Sequence, residues 1–174
     1  MTNWRRMGHV EIRHELPNHP VPEEAERLAR NPSLRVEGLV ARPVTLRRNT
    51  LVQLRRHTLE ATFACEEGWS VPALRWAGIR MSDVLALAGP LPEARFVRVG
   101  AGDYVLPLSL ADAETAVLCD ELNDGPLTTE HGAPWRLLMP GGACYASVKW
   151  VDRLELVDER GDNTAQAIAR GRLS

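Results

Sequence analysis

Cys65 ends a segment of alternating residues and is followed directly by two acids, a glycine and a tryptophan. In TLEATFAC (58–65) the apolar side chains recur at every second position, which predicts a strand with Cys65 on its apolar face. A thiolate at a strand end can ligate a metal or act as a nucleophile, although a free cysteine is more often a small buried hydrophobe. Glu67 could move protons beside the thiol, or it could simply be solvated. The residue types alone leave these alternatives open.

A second group of candidates lies in HGAPWRLLMPGGACYASVKW (131–150). His131 and Arg136 flank a turn, the glycines that follow allow close backbone approach, and Ser147-Val148-Lys149 offers successive N–H groups. Backbone donors with fixed cations are what an anion needs, particularly a phosphate. The P-loop spacing is absent, and a histidine before a glycine is more often structural than catalytic. We therefore expect an anion site without a nucleotide-binding motif.

Lys149 is the only lysine among 21 basic residues. Arginine presents a flat fork and lysine a compact point charge, so a tight pocket around a phosphate can prefer lysine. Chance retention of one lysine is the alternative interpretation of this bias.

The composition is that of an ordinary globular chain. The chain has 174 residues, of which 44% are hydrophobic and 25% charged, and its formal net charge of −2 argues against a broad nucleic-acid-binding face. Three cysteines without a CxxC pair predict neither a disulfide framework nor a structural zinc site, and we interpret Cys119 and Cys144 as packing residues. No apolar run approaches a membrane span, and no apolar segment follows the early arginine pair, so the expected location is cytoplasmic.

The pattern of elements predicts a mixed α+β fold with short, scattered helices. Strands are predicted in LRVEGLV (34–40), 58–65, RFVRVG (95–100), DYVLPLSL (103–110), TAVLCDEL (115–122), WRLLMP (135–140) and SVKWVDRLELVD (147–158). Helices are predicted around Glu23–Arg30, over 49–57 with Asn49 or Thr50 as the N-cap, over 81–89 with Ser82 as the N-cap, and from Ser109 onward. We divide the chain into an N-terminal arm over the domain (1–33), a domain (34–158) and a polar tail without a clear packing face (159–174).

Motifs in this order resemble the molybdopterin-binding domain of the sulfite oxidase family. The resemblance covers roughly Leu34 to Asp158 and rests on a VEGLV strand, the TxxCxExW pattern around Cys65, and HGAPWRLLMPG followed by SVKWVDRLELVD. It is greatest to the single-domain bacterial branch, which includes the catalytic subunit of the periplasmic methionine-sulfoxide reductase. It implies a sulfite-oxidase-type fold and a molybdenum–molybdopterin cofactor.

The resemblance also implies roles for particular residues. Cys65 matches the cysteine that ligates molybdenum, where a soft thiolate suits the metal, and Glu67 matches an active-site glutamate of the reductase branch. Pterin and phosphate contacts fall on His131, Arg136, the Ser147-Val148-Lys149 backbone and the Lys149 amine. Gly100 retains only a backbone contact to the cofactor, where relatives often have Ser or Thr. IRHELP is like the segment that covers the cofactor, which implies contacts from Arg13 and His14, with His19 as a competing register.

Three departures from the family pattern separate this chain from sulfite oxidases. Asp120 stands where they carry a tyrosine, and Ser70 stands where they carry an arginine soon after the metal cysteine. Their C-terminal dimerisation domain has no room after Asp158. A pocket with fewer cations is poorly suited to an anionic substrate, so we do not predict sulfite as the substrate. The missing export signal likewise separates the chain from the periplasmic reductase.

The favoured hypothesis is a molybdopterin-dependent oxidoreductase that transfers an oxygen atom or two electrons to or from a small molecule. No CxxCH haem motif is present, so we expect a separate electron-transfer protein or soluble carrier, and neither nucleic acid nor a membrane span. The alternative is a binding module that holds molybdopterin or another phosphorylated ligand without turnover. A metal-free thiol hydrolase using Cys65 and His131 is a third hypothesis. Physiological substrate, reaction direction, electron partner and oligomeric state are not predicted.

Overall fold

A computed structural model describes residues 10–173. The helices are α1 (Glu23–Arg30), α2 (Arg48–Leu51), α3 (Met81–Ala86), α4 (Leu110–Thr115) and α5 (Thr164–Leu173), and Cys144–Ala146 form a 3-10 turn. The strands are β1 (Glu11–Ile12), β2 (Ser33–Gly38), β3 (Val44–Arg47), β4 (Arg56–Cys65), β5 (Trp69–Arg80), β6 (Phe96–Ala101), β7 (Tyr104–Ser109), β8 (Val117–Leu122), β9 (Gly125–Pro126), β10 (Arg136–Leu138) and β11 (Arg153–Val157). Among these residues no helix combines the length and the apolar character that a membrane crossing requires.

A six-stranded sheet carries both candidate segments. Its strand order is β1-β5-β8-β10, with β4 paired to β5 and β9 paired to β8. The β4–β5 hairpin is antiparallel, pairs Cys65 with Trp69, and has an irregular register after Ala61. Strand β10 runs antiparallel to β8 and pairs Arg136 with Cys119. One continuous sheet therefore connects the hairpin that ends at Cys65 to the strand that carries Arg136.

A five-stranded sheet forms the second layer, in the order β3-β2-β11-β6-β7. Its central strand, β11, runs parallel to β2 and antiparallel to β6. In β2 and β11 every second side chain is buried, and the side chains between them are half-buried or exposed. The fully buried residues are Leu34, Val36, Leu154 and Leu156. These side chains pack in one cluster with Ile79, Leu118, Trp135 and Leu137 of the other sheet's region. The main core thus joins the two sheets, and helices α3 and α4 cover it.

The predicted fold class is confirmed, because both sheets mix parallel and antiparallel pairs and the helices are short. Helix α1 has the predicted bounds, and the Ser109 side chain accepts a hydrogen bond from the Asp112 N–H at the start of α4. Asn123 and Asp124 have positive φ angles and form the turn between β8 and β9.

Several predicted elements are wrong in extent. The helix expected over 49–57 is the four-residue α2, because residues from Arg56 onward pair with β5 instead. The strand expected over 147–158 begins only at Arg153, since residues 144–146 form the 3-10 turn. Ser82 does not cap α3, which begins one residue earlier at Met81. The twelve-residue strand β5 was not predicted at all, because its apolar residues lack a strict alternation and it contains a proline.

Helix α5 lies in the segment that the sequence pattern describes as a tail without a packing face. That description is wrong, because Ala165 is completely buried in the main core. The Thr164 hydroxyl accepts a hydrogen bond from the Val105 N–H at 2.8 Å and donates one to the Asp103 carbonyl at 2.6 Å. The helix is therefore attached to the β6–β7 hairpin. The predicted arm extends into residues 1–9, which lie outside the described residues.

Replacing Thr164 with valine should destabilise the fold, because the Val105 N–H then loses its partner. We expect the free energy of unfolding to fall by about 1–3 kcal/mol in urea titrations. Thr164→Ser keeps both hydrogen bonds and should lose only the contribution of a methyl group, about 0.8 kcal/mol. As a matched control, Thr62→Val changes an exposed position of β4 and should stay within about 0.5 kcal/mol. Equal stability of Thr164→Val and Thr62→Val would show that α5 does not stabilise the fold through this residue.

Candidate functional site

Cys65 lies on the half-buried face of β4. Side chains alternate between exposed and partly buried along the whole strand, so Cys65 shares a face with Phe63, as predicted. Its Sγ lies 2.8 Å from the Sγ of Cys144, which begins the 3-10 turn. Burial and this neighbouring thiol raise the pKa of Cys65 to about 12. The thiol is therefore protonated at neutral pH unless a cation stabilises its anion.

Glu67 lies beside Cys65 in the turn of the hairpin. It is exposed, and its Oε2 accepts a hydrogen bond from the Trp69 Nε1 at 2.9 Å. The Arg13 guanidinium lies 5.0 Å from the centre of the Trp69 ring and is also paired with Glu11 at 3.0 Å. Both Glu67 and Cys65 act on the pKa of Arg13, which places the three groups near one another. The carboxylate of Glu67 and the thiol of Cys65 therefore lie in the same region as the Trp69 ring.

Arg136 is buried, with 4% of its surface exposed. Its Nε donates to the Ser147 hydroxyl at 2.8 Å and one terminal nitrogen donates to the His131 carbonyl at 3.0 Å. The guanidinium also lies 5.1 Å from the Phe63 ring and 5.4 Å from the Trp76 ring. No carboxylate among residues 10–173 comes within 4 Å of it. Burial lowers its pKa to about 10.

Lys149 is the second cation, and with Arg136 it forms what we call the cation pair. Its Nζ donates to the Glu130 carbonyl at 2.6 Å. Burial, followed by the charges of Arg136 and Arg172, lowers its pKa to about 7. Gly132 lets the two side chains approach, because a Cβ there would lie only 3.1 Å from the Arg136 Cβ and the Lys149 Cγ. Its φ of +116° also favours glycine.

A bound anion would match the two positive side chains of the cation pair better than the neutral protein groups around them do. A buried charge without an opposite partner is costly. The charge of Arg136 lowers the pKa of Lys149, and among residues 10–173 only carbonyls and a hydroxyl accept hydrogen bonds from these two side chains. A phosphate supplies the missing negative charge and several acceptor oxygens. Cys65 contacts Cys144, which lies two and three residues before the buried Ala146 and Ser147. Arg136 lies over the ring of Phe63, which shares a face of β4 with Cys65, so a soft sulfur lies near the cation pair.

The structure corrects one detail of the predicted backbone donors. The Ser147 N–H is not available to an anion, because it donates to the Cys144 carbonyl within the 3-10 turn at 3.1 Å. The Ser147 side chain serves instead to hold Arg136. Val148 is completely buried, and its carbonyl accepts from Leu137. One of the three predicted backbone donors, the Ser147 N–H, thus has a structural role of its own.

The remaining predicted residues lie at different distances from this region. His131 is partly buried, and its Nε2 lies 3.3 Å from the Leu16 carbonyl, so its ring fastens the arm rather than pairing with Cys65. His14 is exposed, whereas Lys149, Arg136 and Glu67 all influence the pKa of His19. Burial, followed by the charges of Lys149 and nearby arginines, lowers the pKa of His19. Gly100 lies in the five-stranded sheet, and its added Cβ would meet the Arg153 guanidinium at 2.6 Å.

The two departure positions do not supply a cation. Both carboxylate oxygens of Asp120 accept from the Arg56 guanidinium, at 2.7 and 3.1 Å, so this acid is already paired away from Arg136. The Ser70 carbonyl accepts from the Arg13 N–H and holds β1. The contacts also give no support to a Cys65–His131 hydrolase, because each of these side chains has another partner.

Sequence reasoning missed Cys144 and the aromatic rings around Arg136. Phe63 was placed on the same face as Cys65, and that alternation is the signal that could have identified it as a site residue. Trp76 and Cys144 had no such signal, because they reach the site through strand pairing and a turn. Two surface clefts of about 320 and 330 Å³ lie elsewhere, one beside α1 and one beside His57, and neither includes a thiol or the cation pair.

Comparison with protein families and known proteins points to one chemistry. Residues 18–165 match the model of the oxidoreductase molybdopterin binding domain. An uncharacterised oxidoreductase of Bacillus subtilis, YuiH, is 33% identical over 130 residues, which cover 73% of this chain and 66% of that protein. The mitochondrial sulfite oxidase of Drosophila melanogaster is 27% identical over 183 residues, which cover 87% of this chain and 30% of that protein. The chain thus spans less than two thirds of either relative.

A solved structure supports the fold. The sulfane dehydrogenase SoxCD from Paracoccus pantotrophus matches 73% of this chain and 38% of its own chain, with a TM-score of 0.68 and 25% sequence identity.

Lys149 should make the stability of the cofactor-free protein depend on pH. The unfolded chain keeps the lysine proton up to its ordinary pKa of 10.5, whereas the folded chain releases it near pH 7. The unfolded state binds more protons between these values, so the free energy of unfolding rises with pH. From about pH 7 to about pH 8.5 we expect a rise of up to about 2 kcal/mol, reduced by solvent screening.

The control variants separate titration from packing. Urea titrations of Lys149→Met should lack this rise, and Lys149→Arg should lack it too, because arginine stays protonated throughout. Thiols of the unfolded chain ionise around their ordinary pKa of about 8.5, which lowers the free energy of unfolding over the upper half of this window, so the rise is taken as the difference between wild type and Lys149→Met. The same slope in all three proteins would contradict the assignment of this proton to Lys149.

Proposed function

The chain belongs to the oxidoreductase family with a molybdopterin-binding domain, the sulfite oxidase family, and from that premise we propose that it is a molybdenum–molybdopterin enzyme of small-molecule redox chemistry. The observation that carries the proposal is the cation pair, buried Arg136 with half-buried Lys149, for which residues 10–173 provide no carboxylate within 4 Å. Arg136 lies over the ring of Phe63, which shares a face of β4 with Cys65. When bound, a molybdenum–molybdopterin centre supplies two-electron or oxygen-atom transfer.

Cys65 is the proposed metal ligand. Its position at the end of a ten-residue strand fixes the thiol against β5, and its soft sulfur suits molybdenum beside other sulfur ligands. A metal ion next to the sulfur would stabilise its negative charge, so Cys65 would bind the metal as a thiolate.

Arg136 and Lys149 are the proposed contacts to the cofactor's phosphate. Ser147 and the His131 carbonyl hold the guanidinium in one orientation, and the aromatic rings of Phe63 and Trp76 exclude water from it. Bound phosphate would raise the pKa of Lys149 toward its ordinary value and hold its proton. His19 and Arg13 are proposed to close the arm over the same region.

The proposed substrate is a small uncharged oxide, such as a sulfoxide or an N-oxide. Ser70 and the paired Asp120 offer no free cation for an anion such as sulfite. Reduction of such an oxide consumes two protons and two electrons and releases water. Glu67 is exposed beside Cys65 and is proposed to carry protons to that position. A separate electron-transfer protein or soluble carrier is the proposed electron source.

A binding module without turnover is the second candidate. The observation that favours it is the same lack of a substrate-binding cation at Ser70. Reduction of dimethyl sulfoxide or trimethylamine N-oxide by a reduced viologen dye distinguishes the two, because the module would bind cofactor and consume no dye.

Substitution of Cys65 should separate the metal from the pterin. In protein expressed in a host that makes the cofactor, Cys65→Ser should lower bound molybdenum at least about tenfold, while pterin fluorescence released by denaturation persists. Lys149→Met should lower both signals, because it weakens the phosphate contact. Cys119→Ser changes a buried thiol of β8 and should leave both at the wild-type level. Wild-type protein with neither molybdenum nor pterin would end the proposal.

A further inference from the structure

Cys65 and Cys144 form an unexpected pair of thiols. They are 79 positions apart in the sequence, yet their sulfurs lie 2.8 Å apart, and both are free and partly exposed. The third cysteine, Cys119, is completely buried on β8, with its thiol directed to the Val117 carbonyl. The pairing is therefore specific to the two cysteines at the site.

The two sulfurs need to approach by only about 0.75 Å to reach the length of a disulfide bond, about 2.05 Å. Cys65 is held by strand pairing to Trp69, so the adjustment falls on the Cys144 side. Cys144 follows Gly141, Gly142 and Ala143, and a Cβ at Gly141 would meet nothing within 4 Å. A segment of small residues at an open surface can shift by a fraction of an ångström at little cost.

We propose that Cys65 and Cys144 form a reversible disulfide in the cofactor-free protein, and that this bond closes the metal site until it is reduced. The second half of the proposal rests on the proposed function, because it takes Cys65 as the molybdenum ligand. The first half depends only on the two thiols.

The oxidant is a low-molecular-weight disulfide, of which oxidised glutathione is the probe. The thiolate of one cysteine attacks it, forms a mixed disulfide and releases one glutathione. The thiolate of the other cysteine then attacks the protein sulfur, the Cys65–Cys144 bond forms, and the second glutathione leaves. The two cysteines lose two protons and two electrons, which appear on two molecules of reduced glutathione. A sulfur in this bond has no thiolate charge for a metal.

Counting thiols tests the disulfide without any cofactor. Cofactor-free protein is treated with oxidised glutathione, unfolded and alkylated with N-ethylmaleimide. The mass of the intact chain is then measured by mass spectrometry. Wild type should carry one adduct, at Cys119, and three after dithiothreitol. Cys119→Ala should carry none when oxidised and two when reduced. Cys144→Ala cannot form the bond, so both remaining cysteines should accept either alkylation or a glutathione. Three adducts on oxidised wild type, or a disulfide that includes Cys119, would overturn the proposal.

Loading with cofactor tests the consequence. Oxidised and reduced proteins are incubated with molybdenum cofactor released from a denatured molybdoenzyme, and bound molybdenum is measured. Oxidised wild type should bind at least about tenfold less than reduced wild type. Cys144→Ala should lose binding only in the fraction whose intact mass shows a glutathione on Cys65, and the remaining fraction should bind as the reduced variant does. Equal binding by both forms of wild type would overturn the closing role. If the disulfide forms and no reduced protein binds molybdenum, the proposed function fails while the disulfide stands.

Discussion

A buried guanidinium without a carboxylate is the constraint on which the rest of this site depends. Removing a positive charge from water is costly unless a negative charge accompanies it. Among residues 10–173 the Arg136 guanidinium donates hydrogen bonds only to a hydroxyl and a carbonyl, and it lies over two aromatic rings. Asp120 does not neutralise the Arg136 charge, because both of its carboxylate oxygens accept hydrogen bonds from Arg56. Lys149 adds a second charge of the same sign. The folded protein therefore presents a site suited to an anion, and we propose that this anion is the phosphate of a pterin cofactor.

The six-stranded sheet brings the soft ligand to this anion site. Strand β10 carries Arg136 at one edge, and the β4–β5 hairpin carries Cys65 at its turn. Phe63 links the two, because its ring faces Arg136 and also stacks on Trp69 at 5.9 Å. Cys144 links them a second time through the 3-10 turn that leads to Ser147. The proposed metal ligand and the proposed phosphate contacts are thus connected through direct side-chain contacts.

Local patterns made part of this arrangement predictable. Alternation predicted Phe63 and Cys65 on one face, and the segment 131–150 indicated Arg136 and Lys149 as donors. The approach of Cys144 to Cys65 could not be predicted, because it depends on how a turn packs against a strand end 79 positions away. Helix α5 was missed because it is held by one buried alanine and one threonine hydroxyl, and neither creates an apolar periodicity.

Crystallography of cofactor-loaded protein tests the central claim most directly, with diffraction data collected on both sides of the molybdenum absorption edge. The account predicts an anomalous peak bonded to the Cys65 sulfur and phosphate density within hydrogen-bonding distance of Arg136 and Lys149. A metal peak elsewhere, or a cation pair that still contacts only protein carbonyls and hydroxyls while the cofactor is bound, would contradict it.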